Sequence, residues 1–229
     1  MKRVATMMAM FALVAFAGSA SAALRLPQEP VLTGSLQGYL NGVGESINVN
    51  TDQNAAQRWT ATVSNNSTFT VQVELAGNAA SNNIGIYNAS AVAPALYQVF
   101  PGAATSGWFA VASFRTAPVR VIVNLFDASA SIQGTTTYLG ADKTDFGYYL
   151  QGPGGTFYTQ DARNAGGAVQ ALTYGGTGIN SGSWWLCFED APLGVGSDQD
   201  YDDAVLFLES VNPTPVSKTT WGSVKARFR

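Results

Sequence analysis

The stretch WWLCFEDAPLGVGSDQDYDDAVLFLES, residues 184–210, holds two apolar runs on either side of an acidic segment. Apolar residues alternate with a period of two in both runs, which is typical of β-strands that turn one face to a core. Five side chains fall on one predicted inward face: Trp184, Leu186, Phe188, Leu206 and Leu208. Trp185 falls on the opposite face, where we expect it to matter less to folding. The stretch therefore predicts two neighbouring strands joined by a loop that gathers the carboxylates.

The same signal recurs along the chain in runs rich in β-branched and aromatic residues, separated by Gly, Asn, Ser or Pro clusters. The predicted strands are residues 45–50, 58–64, 68–75, 83–88, 96–100, 107–114, 119–126, 146–151, 155–160, 168–174, 183–189 and 204–211. Helix-like spacing occurs at residues 32–43 and 219–229. The pattern predicts an all-β protein, an antiparallel, jelly-roll-like β-sandwich with a short N-terminal helix.

The first residues have the three-part layout of a secretory signal peptide. Lys2 and Arg3 precede an apolar run that ends in small residues, so residues 1–22 are expected to be cleaved. No later segment reaches the roughly 20 apolar residues that a bilayer-spanning helix needs. We therefore expect a secreted, extracellular or cell-surface protein, with residues 23–211 as a single domain, residues 212–229 as a basic tail and no transmembrane segment.

Composition excludes several classes of function. The net charge of −3 and the lack of a basic stripe argue against nucleic acid as a partner. The chain has no His, which removes Ser-His-Asp and Cys-His nucleophile systems and His-ligated zinc. The single Cys187 cannot form an internal disulfide, and its apolar neighbours indicate a buried small hydrophobe. Hard oxygen ligands remain for metal chemistry.

The acidic segment is the strongest functional signal. Residues 184–210 hold seven of the 15 acids and no Lys or Arg. Carboxylates at this density repel one another unless a cation lies between them, and calcium takes about six to eight oxygen ligands in flexible geometry. The predicted calcium ligands are Asp190, Asp198, Asp200, Asp202 and Asp203. The alternative is a solvated acidic loop that binds no ion.

The segment also resembles the signature of a bacterial secreted β domain, the domain-of-unknown-function 4114 family. Phe188, Glu189 and Asp190 match its Phe-Glu-Asp motif. The following Asp-x-Asp-Tyr-Asp-Asp motif is matched by Asp198, Asp200, Tyr201, Asp202 and Asp203. The likeness extends over roughly residues 30–211. It implies extracellular or cell-surface residence, often in proteins of the envelope or an exopolysaccharide matrix, a calcium role for the acids and no established activity.

Three functions follow as hypotheses. The first is a non-catalytic, calcium-stabilised module of the envelope or matrix, with extracellular polysaccharide or other envelope components as partners. The second is a calcium-dependent carbohydrate-binding module, in which Trp108, Tyr148, Tyr149, Tyr158 and Trp185 either stack on sugars or belong to the core. The third, disfavoured because the acids cluster on one loop, is a glycoside-active enzyme using Asp145 and Asp161, which otherwise read as turn residues.

The C-terminal stretch NPTPVSKTTWGSVKARFR, residues 212–229, is basic and follows an acidic domain. Many members of the resembling family end instead in a Pro-Glu-Pro sorting signal with an apolar helix, and this stretch has neither. Two readings stay open: an address or docking segment read by an export or surface-attachment system, and a frayed terminus without a role.

Overall fold

The computed structural model describes residue 30 and residues 36–62, 64–73 and 79–214. The predicted signal peptide and the tail beyond residue 214 lie outside these residues. Besides four short 3₁₀ helices, the described elements are one α-helix and thirteen β-strands. They are α1 (Leu36–Gly42), β1 (Trp59–Ala61), β2 (Asn66–Val73), β3 (Asn83–Asn88), β4 (Leu96–Phe100), β5 (Phe109–Thr116), β6 (Val119–Phe126), β7 (Ile132–Leu139), β8 (Phe146–Gly152), β9 (Gly155–Tyr158), β10 (Ala171–Gly175), β11 (Trp184–Phe188), β12 (Ala204–Glu209) and β13 (Val211–Pro213).

The strands form two antiparallel sheets. One sheet has six strands in the order β13-β1-β8-β3-β4, with β9 paired to β8. The other has seven strands in the order β10-β11-β12-β2-β5-β6-β7. This arrangement confirms the predicted all-β sandwich, and α1 lies within the segment predicted to be helical. None of the helices in the described part of the chain is long and apolar enough to cross a bilayer.

The main core lies between the inward faces of the two sheets. Strands β11 and β12 pair antiparallel, with Leu186 opposite Leu206 and Phe188 opposite Ala204. The predicted inward face is confirmed, because Leu186, Phe188, Leu206 and Leu208 are buried in this core and Trp184 packs against it.

A second core covers the outer face of β10, β11 and β12, at one end of the seven-stranded sheet. Trp185, Cys187 and Val205 lie on that face, beneath a layer that α1 and the following segment provide. Trp185 is only 3% exposed, so the expectation that it matters less to folding is corrected. Residues 45–50, predicted as a strand, form no strand: their alternating apolar side chains pack on the sheet surface instead.

Two strands were missed from sequence. Strand β7 is an edge strand whose side chains are exposed except for the half-buried Tyr138, so it lacks the apolar alternation of a buried strand. Strand β13 pairs with β1, so paired structure continues past residue 211, the predicted end of the domain.

Candidate functional site

The acidic loop, residues 189–203, connects β11 to β12. The strand residues at its two ends, Phe188 and Ala204, are directly paired. Both are 0% exposed and belong to the main core. The loop is therefore anchored at both ends in packed strands, which limits how far its carboxylates can separate.

Glu189 is the first residue of the loop and is 0% exposed. Its Oε1 accepts a hydrogen bond of 2.6 Å from the backbone N–H of Tyr201, and its Oε2 accepts one from the Ser197 hydroxyl. Carboxylate oxygens of Glu189, Asp198 and Asp200 all lie within 4.8 Å of one another. We call these three residues the carboxylate cluster.

The second half of the loop bends sharply around Asp200. Gln199 and Tyr201 on either side of it both adopt a left-handed φ of 60°. Tyr201 is buried, and its hydroxyl donates a 2.8 Å hydrogen bond to the carbonyl oxygen of Val169. This anchor holds the bend in place, with Asp198 and Asp200 beside Glu189.

Only two of the five predicted ligands, Asp198 and Asp200, belong to the carboxylate cluster. Asp190 and Asp203 form a separate contact, in which the Asp190 N–H donates to Oδ2 of Asp203 at 2.8 Å. Asp190 Oδ2 also accepts a 2.9 Å hydrogen bond from the buried Asn82 Nδ2. Asp202 is 5% exposed and is likewise outside the cluster.

Sequence reasoning did not select Glu189 as a ligand, although it lies in the Phe-Glu-Asp stretch on which the resemblance rests. Strand alternation placed it on an outward face together with Trp185 and Cys187, and that face is buried in the structure. The signal that could have identified it is a carboxylate at the end of an apolar run, directly before an acidic loop.

Burial makes this group of acids unfavourable in the ionised form. It raises the pKa of Asp200 to about 7, with a further contribution from the charge of Asp202. Burial also raises the pKa of Asp203 to about 7. The pKa of Glu189 is raised by burial as well, against the hydrogen bonds from Ser197 and Tyr201. A positive charge at the loop would offset these penalties.

Among the described residues, no Lys or Arg forms an ion pair with Glu189, Asp198 or Asp200. The cluster offers oxygen ligands without nitrogen or sulfur, which suits a hard cation such as calcium or magnesium. The donor set thus fits the predicted class of metal.

The acids considered for catalysis have structural partners. Asp145 forms a two-contact ion pair with Arg58, with Arg58 Nε donating to Oδ1 at 2.7 Å. Asp161 accepts a 2.8 Å hydrogen bond from Gln57 Nε2. Both contacts connect turns to the residues before β1, which agrees with the interpretation of Asp145 and Asp161 as turn residues.

Most of the aromatic rings considered for sugar stacking are buried. Tyr148, Tyr149 and Trp185 are at most 3% exposed, which agrees with the interpretation of these rings as core residues. Tyr158 is half-buried and packs edge-on against Tyr87, with 5.0 Å between ring centroids. Trp108 is half-buried and packs against the main core.

Comparison of the chain with protein-family models and with curated proteins gives no match.

Proposed function

We propose that this protein is a non-catalytic β-sandwich module, secreted or displayed at the cell surface, whose acidic loop is held in shape by calcium. One observation carries the proposal: the carboxylates of Glu189, Asp198 and Asp200 converge within 4.8 Å. Glu189 and Asp200 are 0% and 7% exposed, so two of the three charges are largely removed from water. Buried charges of one sign need an opposite charge nearby, and a calcium ion supplies two positive charges.

The position of the cluster explains what an ion would do there. Glu189 directly follows β11, whereas Asp198 and Asp200 lie late in the loop, toward β12. An ion bound to all three ties the start of the loop to its end. Such an ion acts as a structural cross-link rather than a catalytic centre, because it rigidifies a connection between two core strands.

Secretion and a role in the envelope or matrix belong to the proposal on sequence grounds. The residues before Ala23 have the layout of a signal peptide, and the acidic stretch resembles that of the secreted domain-of-unknown-function 4114 family. Extracellular fluids contain calcium at concentrations at which weak sites of about 10⁻⁴–10⁻³ M are filled. Polysaccharide or other envelope components are the partners proposed for a module in that setting.

Calcium is expected to raise the thermal midpoint of the purified protein by about 5–10 °C at a hundredfold excess over the dissociation constant. Binding to the folded state alone contributes about 2.7 kcal/mol under that condition, and each kcal/mol shifts the midpoint of a domain of this size by about 2–4 °C. Melting is followed in calcium, in magnesium and in chelator. Equal midpoints in calcium and chelator would refute the calcium site.

The stability of the Asp200→Asn variant relative to the parent is expected to change sign between chelator and calcium. In chelator at pH 8 it should be at least as stable as the parent, because the fold disfavours the ionised form of a carboxyl whose pKa is raised to about 7. In calcium it should be less stable, because a ligand is lost. Glu209→Gln is the matched control, since Glu209 is an exposed acid of the same stretch outside the cluster. It should melt like the parent in both conditions.

Deleting residues 217–229 is expected to leave the thermal midpoint unchanged and to remove the protein from its normal cellular location. Within the part of the chain that the structure describes, the last paired strand ends at Pro213, before the deleted segment. Cell fractionation of the producing bacterium measures the location, and melting of the purified variant measures the fold. An unchanged location would mean that the tail is not an address.

A further inference from the structure

A cleft of about 250 Å³ opens at one edge of the sandwich. The seven-stranded sheet ends in β6 and β7, and the facing edge strand of the other sheet is β4. Inward residues of β6 and β7, among them Val123, Leu125 and Thr136, form the cleft together with Gln98 of β4. The volume lies just below the range of ~300–1,000 Å³ typical of small-ligand sites.

The lining combines an apolar floor with uncharged polar walls. Val123 and Leu125 belong to or pack against the main core and form the floor. Gln98, Gln133 and Thr136 supply the polar groups, and none of the residues that line the cleft is charged. This mixture suits a neutral ligand with both apolar and hydroxyl-bearing surfaces.

Tyr138 closes one end of the cleft. Its ring packs against the buried Tyr97 with 5.6 Å between centroids. The aromatic wall is therefore fixed in position before any ligand binds.

The two glutamines are oriented by the protein itself. Gln98 Nε2 donates to Asn83 Oδ1 at 3.0 Å, and Gln133 Nε2 donates to Asp127 Oδ2 at 2.6 Å. Neither Oε1 atom accepts a hydrogen bond from a residue that the structure describes, nor does the Thr136 hydroxyl form one. Gln133 thus presents an oriented carbonyl acceptor to the cleft and Thr136 a hydroxyl, which are groups that bind the O–H donors of a ligand.

We propose that this cleft binds one unit of an uncharged polysaccharide, with a sugar ring on the apolar floor and its hydroxyls on Gln133 and Thr136. Gln133 and Thr136 of β7 line the cleft beside its apolar floor, which favours a small polar ligand over a strand from a second copy of the chain. This inference goes beyond the proposed calcium role: β2 and β5 separate β12 from β6 within the sheet, so the cleft and the acidic loop are different sites.

Gly134 gives a direct way to block the cleft. A Cβ added there meets no atom within 4 Å, and the residue does not need a left-handed φ, so a leucine fits the strand and projects into the empty space. Thr137→Leu places the same side chain on the exposed outer face of β7 and serves as the control. Thr136→Val removes one hydroxyl at nearly constant shape.

The test is native affinity electrophoresis of the full-length protein in gels that contain dextran, laminarin, xylan, galactomannan or anionic alginate, with calcium at a fixed saturating concentration. At least one neutral polysaccharide is expected to retard the protein. Gly134→Leu should weaken binding at least tenfold, Thr136→Val about three- to tenfold, and Thr137→Leu should leave it unchanged.

Several results would overturn the inference: no retardation by any neutral polysaccharide, retardation by alginate alone, binding that survives Gly134→Leu, or dimerisation through β7 without sugar binding. These outcomes are independent of the calcium proposal, which depends on the difference in melting between calcium and chelator. If Gly134→Leu does not fold, the loss expected for Thr136→Val still decides the matter.

Discussion

Phe188→Ala is expected to lower the free energy of unfolding by about 3–5 kcal/mol, the usual cost of truncating a buried phenylalanine. Phe188 is 0% exposed in the main core, where it pairs across the sheet with Ala204 and Ala171. Two such small neighbours have little bulk with which to fill the space that the ring leaves. Urea denaturation at a fixed calcium concentration measures the change.

The matched control is Ile132→Ala, a large-to-small change at a side chain that is 61% exposed on β7. It should change stability by no more than about 0.5 kcal/mol, as is usual for surface positions. A cost for Phe188→Ala no larger than that of the control would show that β11 does not pack as described. Because the acidic loop begins at the next residue, the variant should also bind calcium more weakly.

The β11–β12 pair could be predicted from sequence because its period-two pattern coincides with real burial on one face. The same pattern misled the interpretation of Trp185, because both faces of this sheet region are buried. Alternation separates two faces but does not say whether the second one meets water or another layer. The covering layer, α1 and the segment after it, lies more than a hundred residues earlier in the chain.

The acidic loop was predictable as a unit, but its internal geometry was not. The carboxylate cluster depends on the left-handed conformations of Gln199 and Tyr201 and on the burial of Glu189, which no spacing rule specifies. The cleft beside β7 was beyond sequence reasoning altogether. It requires the long-range placement of β4 next to β7, a strand whose Thr-rich, exposed sequence gave no apolar signal.

Glu45→Ala is expected to cost about 3–5 kcal/mol, because it removes a buried acceptor of four hydrogen bonds. Glu45 is 4% exposed. Its Oε1 accepts from Trp185 Nε1 at 2.9 Å and from Asn180 Nδ2 at 2.7 Å, and its Oε2 accepts from the backbone N–H and hydroxyl of Thr177, each at 2.6 Å. These bonds hold the layer that covers the second core against the sheet. In the variant, the donor groups of Thr177, Asn180 and Trp185 lose their acceptor.

The cost of Glu45→Ala should depend on pH with a definite sign. Burial alone would raise the pKa of Glu45, but the hydrogen bonds from Thr177, Asn180 and Trp185 together bring it below its ordinary value of 4.5. A carboxyl whose folded pKa is depressed stabilises the fold fully above its unfolded pKa and loses that contribution as pH falls through the folded value. The stability difference between parent and variant should therefore be constant from pH 7 to about 5 and shrink below about 4.5. The raised pKa values in the acidic loop are common to both proteins and cancel in this difference. Denaturation of both proteins between pH 3 and 7 measures this stability difference. A difference that does not change with pH would mean that the negative charge of Glu45 does not stabilise this layer.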